Sequence, residues 1–361
     1  MPANIQTVLG PIASDLMGVT LMHEHLLMSF LTWHHPPKTA SRMTLRDAPV
    51  SLSILGELRM DPFVNLDNLQ QFDVDLSARE AQQFADLGGQ TILDPTNRGI
   101  GRDPQALAAI SRRTGLNVVM GSGYYLEVSH PPVVRQMTHE SISAEIERDL
   151  KEDVDGTGIR AGFIGEIGVS ARFTQEEEKV LRGAARAQTR SHVPLMVHLP
   201  AWERLAHRVL DVVAEEGVRL DCVILCHMGP SWRDFDYQAG LAQRGAYLEY
   251  DMISMDYYYA DQHAQCPSDE ENAAAIQNLI NSGYAERILI SQDVFLKMML
   301  TCYGGFGYGY ILRHFVPRLR RLGVTGEDIK DLIEHNPRRV FEDAFEQKAA
   351  KIAWTEGNKE N

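Results

Sequence analysis

Val19-Thr20-Leu21-Met22-His23-Glu24-His25-Leu26-Leu27-Met28 is a nearly continuous apolar run with His23-Glu24-His25 set in its middle. A strand buried on both faces reads this way, without polar alternation. Side chains at i and i+2 of a strand share a face, so His23 and His25 point together and Glu24 is expected to point the other way, towards surrounding helices. Two imidazoles so placed can reach one cation through bonds of about 2.0–2.1 Å. Taken alone, the motif fits a pair of hydrogen-bonded core histidines equally well.

Seven further runs share this character: Gln90–Thr96, Asn117–Gly123, Ala161–Val169, Pro194–Leu199, Cys222–His227, Ala246–Met252 and Arg287–Phe295. Each is short and nearly continuously apolar. Helical stretches fill the intervals. Ser77–Leu87 opens with Ser77 and carries Glu80 three residues on, the pattern of a capping box. Asp103-Pro104 places an N-cap before proline, and Gly115 and Gly217 stand where helices should stop. Thr174–Arg190, Trp202–Glu216, Asp269–Ser282 and Gly326–Glu334 fill four more intervals. Eight strands alternating with helices predict an α/β protein, a (β/α)8 TIM barrel. An open doubly wound sheet would want a GxGxxG turn after an early strand, and the chain has none. The expected organisation is one barrel domain over residues 1–345 and a charged tail over 346–361 that frays. The long segments 29–76 and 294–325 should be loops on the C-terminal face.

With 361 residues, a 44% hydrophobic set and 23% charged residues, the composition suits a globular core. The 35 basic and 49 acidic side chains leave a formal charge of −14, a poor footprint for nucleic acid or an anionic membrane. No apolar run reaches the roughly 18 residues of a membrane span, and Met1–Gly10 lacks the features of a secretory signal. Cys222, Cys226, Cys266 and Cys302 show no CxxC pairing, so a ribbon-type zinc site is excluded and a reducing cytoplasm is the expected setting.

Four other chemistry-bearing side chains fall inside the apolar runs. Glu166 lies in the fourth, His198 at the end of the fifth, His227 at the end of the sixth and Asp293 in the eighth. Charged groups are rarely buried unless paired or metal-bound. In a closed barrel the C-terminal strand ends converge, so one shared metal site accounts for all six residues better than six separate core roles. His34, His35, His139, His192, His207, His263, His314 and His335 fall in loops or helices, and His130 reads as loop packing. Cys226 should face away from the site by strand alternation. Gly99-Ile100-Gly101 reads as a tight strand-to-helix turn and not as a phosphate loop.

The ordered set Thr20-Leu21-Met22-His23-Glu24-His25, Gly99-Ile100-Gly101-Arg102-Asp103, Gly165-Glu166-Ile167-Gly168, Val197-His198, Cys226-His227 and Ser291-Gln292-Asp293 resembles the phosphotriesterase-like branch of the amidohydrolase superfamily. With Tyr303-Gly304-Gly305-Phe306-Gly307-Tyr308, the chain looks most like the phosphotriesterase-related proteins and nearby lactonases. The resemblance spans almost the whole chain. It implies two divalent metal ions, usually Zn2+, with Mn2+, Co2+ or Fe2+ as alternatives. His23, His25 and Asp293 would hold the buried ion, His198 and His227 the more exposed one, and Glu166 would bridge them. Glu166 stands where the founding enzymes carry a carbamylated lysine, so metal spacing and preference depart from theirs. The implied reaction is attack by a metal-bridging hydroxide on an ester-like bond (lactone, carboxylic ester or phosphotriester), with Asp293 carrying the proton away. The alternatives are an amidase of N-acylated small acids using the same centre, and a small-molecule binding protein without catalysis. Tyr124, Tyr125, Arg102 and Tyr308 are candidate substrate contacts. A small-molecule substrate is the expected partner, with no nucleic acid or membrane, and the resemblance implies a homodimer.

Overall fold

The computed structural model describes residues 3–357, with side chains through Glu346. Eight parallel strands form one sheet: β1 (Thr20–Leu21), β2 (Thr91–Asp94), β3 (Asn117–Ser122), β4 (Phe163–Gly168), β5 (Leu195–His198), β6 (Val223–Leu225), β7 (Tyr247–Tyr250) and β8 (Ile288–Ile290). Each pairs with its neighbour in sequence, from Thr20 opposite Thr91 through Leu248 opposite Ile288. Every strand lies within one of the eight apolar runs, and the barrel expected from them is the fold observed.

The ladder stops between β8 and β1, and the barrel closes there by other means. Asp293 N–H donates to His23 O at 3.0 Å, and His23 N–H donates to Ser291 Oγ at 3.0 Å. Inside, Leu93, Val119, Phe163, Met196, Ile224, Tyr247 and Leu289 come one from each of β2 to β8 and pack with Met22, just past β1. Ile5, Met17, Val340 and Phe341 plug the N-terminal end of this core. Burying apolar surface on this scale supplies the main driving force of folding, at roughly 25 cal/mol per Å².

The helices follow their strands: α1 (Val74–Asp86), α2 (Pro104–Thr114), α3 (His139–Lys151), α4 (Gln175–Ser191), α5 (Ala206–Glu215), α6 (Phe235–Gln243), α7 (Asp269–Asn281) and α8 (Asn336–Gly357). Asp103 caps α2 by accepting Ala106 N–H, and Gly115 ends it with φ 73°. Thr174 with Glu177, and Ser268 with Glu271, form capping boxes for α4 and α7. The expected box at Ser77 is absent. Helix α1 starts earlier because Asp73 caps it through Asp75 and Leu76 N–H. Glu80 instead accepts Thr301 N–H at 2.8 Å and Cys302 N–H at 3.1 Å, tying α1 to the loop after β8. Helix α8 continues past residue 345, where a separate tail was expected, to Gly357; residues 358–361 lie outside the described residues. No helix among the described residues is long and apolar enough to cross a membrane.

The long segment after β1 holds 3-10 turns, a short helix over Leu55–Met60 and a small hairpin pairing Met28–Ser29 with Gln70–Gln71. Gly99 and Gly101 make the turn beneath it, with φ of 104° and 107°. A Cβ on Gly99 would lie 2.4 Å from Ser129 O, and one on Gly101 2.8 Å from Ser29 N. Close backbone approach is what these glycines provide. Gly99→Ala should therefore lower the unfolding free energy by about 2 kcal/mol, since strain and clash add. Urea unfolding checks this, and an unchanged midpoint would show that the turn can move.

Candidate metal centre

The six residues singled out by sequence meet at the C-terminal end of the barrel. His23 Nε2 lies 3.7 Å from Glu166 Oε2 and 3.7 Å from Asp293 Oδ1. His25 Nε2 lies 3.6 Å from Glu166 Oε1 and 3.3 Å from Asp293 Oδ1. On the other side of Glu166, His198 Nδ1 approaches Oε2 at 3.0 Å and His227 Nε2 at 3.9 Å. His23, His25 and Asp293 make one set that could hold a metal ion; Glu166, His198 and His227 make a second. The His23 and His25 side chains are 0% and 1% exposed, against 12% and 6% for His198 and His227, so one set is deeper than the other.

Local backbone features aim these groups. The register between β4 and β5 slips between Ile164 and Ile167, which re-aims Glu166. Asn97 Nδ2 donates to Glu166 O at 2.6 Å and fixes that peptide. His227 and Asp293 have φ of 59° and 48°, left-handed conformations uncommon for residues with a Cβ. The turn at His227 also explains Cys226. Alternation predicts that Cys226 faces away from the site, yet its sulfur lies with His23, Glu249 and Asp251 in the barrel interior. A left-handed residue lets two consecutive side chains both face inward. Burial, with Glu249 and Asp251 nearby, holds the Cys226 thiol well above its ordinary value.

A second layer orients the imidazoles. Asp251 accepts His227 N–H at 3.0 and 3.1 Å and sits 3.0 Å from His227 Nδ1. Glu249 lies 3.2 Å from His23 Nδ1, and Thr96 Oγ1 lies 2.7 Å from His25 Nδ1. Partners on the far ring nitrogen fix the tautomer and turn the near nitrogen towards Glu166, where His227 Nε2 also meets His198 Nδ1 at 2.7 Å. The sequence reading missed Glu249 and Asp251. Their signal was there: two acidic residues at i and i+2 inside an apolar run.

Glu24 faces the seam beside β8 and not the helices, accepting hydrogen bonds from Ser291, Gln292 and Val294. Tyr125 stands at the centre, its hydroxyl 3.4 Å from His198 Nε2. Tyr308 lies below, donating to His25 O at 2.8 Å. Arg102 is instead paired with Asp149 at 2.8 Å and Asp155 at 3.3 Å, and Tyr124 donates to Glu145 at 2.7 Å. These partners, in and just beyond α3, already engage both side chains, with Asp155 at the surface.

Electrostatics mark the spot as built for cations. Burial would raise Glu166, but His23, His198 and His25 hold it down at about 2. Burial would lower His227, but Asp251 lifts it to about 9; Asp293 and Glu166 likewise lift His23 well above its ordinary value. No lysine or arginine among the described residues pairs with Glu166, Asp293, Glu249 or Asp251. His23 Nε2 and Asp293 Oδ1 are buried with no hydrogen-bond partner. Unpaired buried lone pairs facing one another are what a metal-ion pair would satisfy, so the residues present fit such a centre.

A TIM barrel with this cluster at its strand ends defines a class of metal-dependent hydrolase. Residues 3–341 match the Phosphotriesterase family model, and the chain belongs to that family. An N-acetyltaurine hydrolase of Danio rerio is 35% identical over 338 residues, covering 93% of this chain and 97% of the relative. A resiniferatoxin-binding protein from Rhodobacter sphaeroides superposes with a TM-score of 0.93 at 57% identity, covering 94% of this chain and 95% of that one. A lactonase from Listeria monocytogenes gives a TM-score of 0.76 at 26% identity, covering 94% and 99%. The family is typically dependent on a binuclear metal centre, and family and relatives together make this chain a hydrolase.

Two predictions follow from the charges. Glu166→Ala should lower the affinity for both ions, because its carboxylate faces both sets; wild-type stoichiometry by elemental analysis would exclude a bridge. The metal-free protein should lose stability as pH rises from about 6.5 to about 9. His227 and His23 are raised in the folded state, so their contribution is complete below the unfolded value of about 6.5 and fades through the folded value. Urea unfolding of chelator-treated protein across that window checks the sign.

Proposed function

We propose that the protein is a binuclear metal-dependent hydrolase acting at an acyl carbon, and that its substrate class is the amide of an N-acylated small acid. The observation carrying the reading is the pair of donor sets facing each other across Glu166, with His23 Nε2 and Asp293 Oδ1 unpaired. The sequence alone ranked an ester-like bond first. The 35% identical N-acetyltaurine hydrolase, aligned over nearly its whole length, moves the amide reading ahead.

His23, His25 and Asp293 would hold one ion, His198 and His227 the other, with Glu166 shared. When bound, the two ions supply Lewis-acid polarisation of the carbonyl and a water of lowered pKa. Asp293 accepts the proton of the attacking water. Hydrolysis of an amide then needs that proton on the departing nitrogen, and Asp293, buried and held ionised by His23 and His25, is placed to return it. Tyr125, pushed well above its ordinary range by burial and Glu166, stays a neutral phenol. Trp33 Nε1–H donates to its oxygen at 3.2 Å, and the hydroxyl lies 3.4 Å from His198 Nε2, where it could meet a substrate acceptor.

A second reading, lactone or ester hydrolysis, is favoured by the roof over the site. Phe30 meets His25 edge-on at 4.9 Å, and Phe63 stacks between Trp33 at 5.5 Å and Tyr259 at 5.1 Å. The nearby basic groups are already paired: Arg42 and His35 with Asp61, Lys297 with Asp67.

Metal-replete protein assayed against N-acetyltaurine, other N-acyl amino acids, lactones, aryl esters and an organophosphate should turn over the N-acyl acids fastest and lose all activity on chelation. Lactone turnover without amide turnover would install the second reading. Asp293→Asn should retain most metal and lose about 10²–10⁴-fold in kcat. Near-wild-type turnover with metal retained would remove Asp293 as the proton acceptor.

A further inference from the structure

The backbone N–H groups from Ser291 to Val294 go to four places. Ser291 N–H donates to Tyr250 O at 3.0 Å, on the β7 side, and Asp293 N–H to His23 O at 3.0 Å, on the β1 side. Between and beyond them, Gln292 and Val294 have no ladder partner. Each donates instead to one oxygen of Glu24: Gln292 N–H to Oε1 at 2.9 Å and Val294 N–H to Oε2 at 2.9 Å. Ser291 Oγ–H adds a third bond to Oε1 at 2.8 Å while accepting His23 N–H at 3.0 Å. Glu24 is fully buried. The residue enclosed by the two gripped amides is Asp293, whose backbone is left-handed at φ 48°. On the loop side, Gln292 Oε1 accepts Ile311 N–H at 3.1 Å, so the turn is held from both directions.

We propose that Glu24 is a positioning residue for Asp293: by holding the amides on either side, its carboxylate fixes the left-handed turn that aims Asp293 Oδ1 at His23 and His25. A left-handed residue with a Cβ persists only where its surroundings over-determine it. The side-chain oxygens do here what a strand partner does elsewhere in the barrel. The proposal rests on the reading of Asp293 as a ligand and proton acceptor. It assigns to Glu24 a task separate from closing the seam, because Ser291 and His23 would bridge the seam without it.

The test is Zn2+ titration by calorimetry of metal-stripped wild type, Glu24→Gln and Glu24→Asp, with amide exchange over residues 288–296. The glutamine amide turns a donor towards donors and loses at least one grip; the aspartate keeps the charge on a shorter arm. Wild type should bind two Zn2+. Both variants should weaken one site by about 10–100-fold, leave the other within about threefold, and exchange faster at 291–294, the aspartate less so than the glutamine. At saturating Zn2+, kcat should fall while KM stays within about twofold. If Glu24→Gln fails to fold, Glu24→Asp decides on the same criteria. Wild-type constants in a folded variant, or equal weakening of both sites, would overturn the proposal. Wild type that binds no Zn2+ would instead overturn the metal reading, whatever the variants do.

Discussion

Glu166 is a carboxylate taken out of water and answered only by imidazoles. Moving an ion from water into a protein interior costs several kcal/mol unless partners repay it. Four imidazole nitrogens stand within 3.0–3.9 Å of its oxygens, and Asp293, Glu249 and Asp251 crowd in behind them. Without a cation the balance falls to protonated histidines, which is why His23 and His227 are driven upward while Glu166 is driven down. Two divalent ions at the two donor sets, as proposed, would answer these carboxylates in place of imidazolium protons.

The barrel makes that concentration of charge affordable by geometry. Parallel strands bring all their C-terminal ends to one face, so residues on β4 and β5, and just beyond β1, β6 and β8, can meet although, His23 and His25 apart, they lie far from one another in sequence. Regular alternation alone would not bring all of them in. A register slip turns Glu166, and left-handed residues turn His227 and Asp293. Such conformations persist where neighbouring groups hold them. Asp251 holds His227 through its amide and its ring, and Glu24 holds the amides around Asp293. The backbones of two candidate ligands are thus held by carboxylates that stand outside the two donor sets around Glu166.

This division explains which parts of the molecule the sequence made legible. The eight strands were visible because burial on both faces leaves an unbroken apolar run, and the ligands because histidine and acid have no other reason to end such runs. A cap was legible where one residue competes for one helix end, as at Asp103. The start of α1 was not, because Ser77 and Glu80 match the pattern as well as Asp73 does and a distant loop claims Glu80. Glu24 was sent towards the helices by alternation, a rule that assumes a ladder on both sides; at the seam there is none, and the side chain becomes the ladder. Arg102 and Tyr124 lie on the segments that make the site, yet partners 47 and 53 residues further on for Arg102, and 21 for Tyr124, in and beyond α3, hold them, and no local pattern carries that.

Chemistry and selectivity are therefore written in different parts of the chain. The strand ends carry the charge balance and tolerate little change, since each buried acid needs its partner. The roof belongs to the long segment after β1 and to loops after later strands, and its contacts are ring on ring: Trp33 on Phe63, Phe63 on Tyr259, Phe30 on His25 and Phe295. Such contacts can be repacked by substitution at modest cost, because volume and apolarity matter more than direction. A polar thread joins the layers, from Trp33 through Tyr125 to His198. In this chain the charge of the site and its apolar cover thus come from different segments, so a substitution in the cover can change what fits without touching the charge balance.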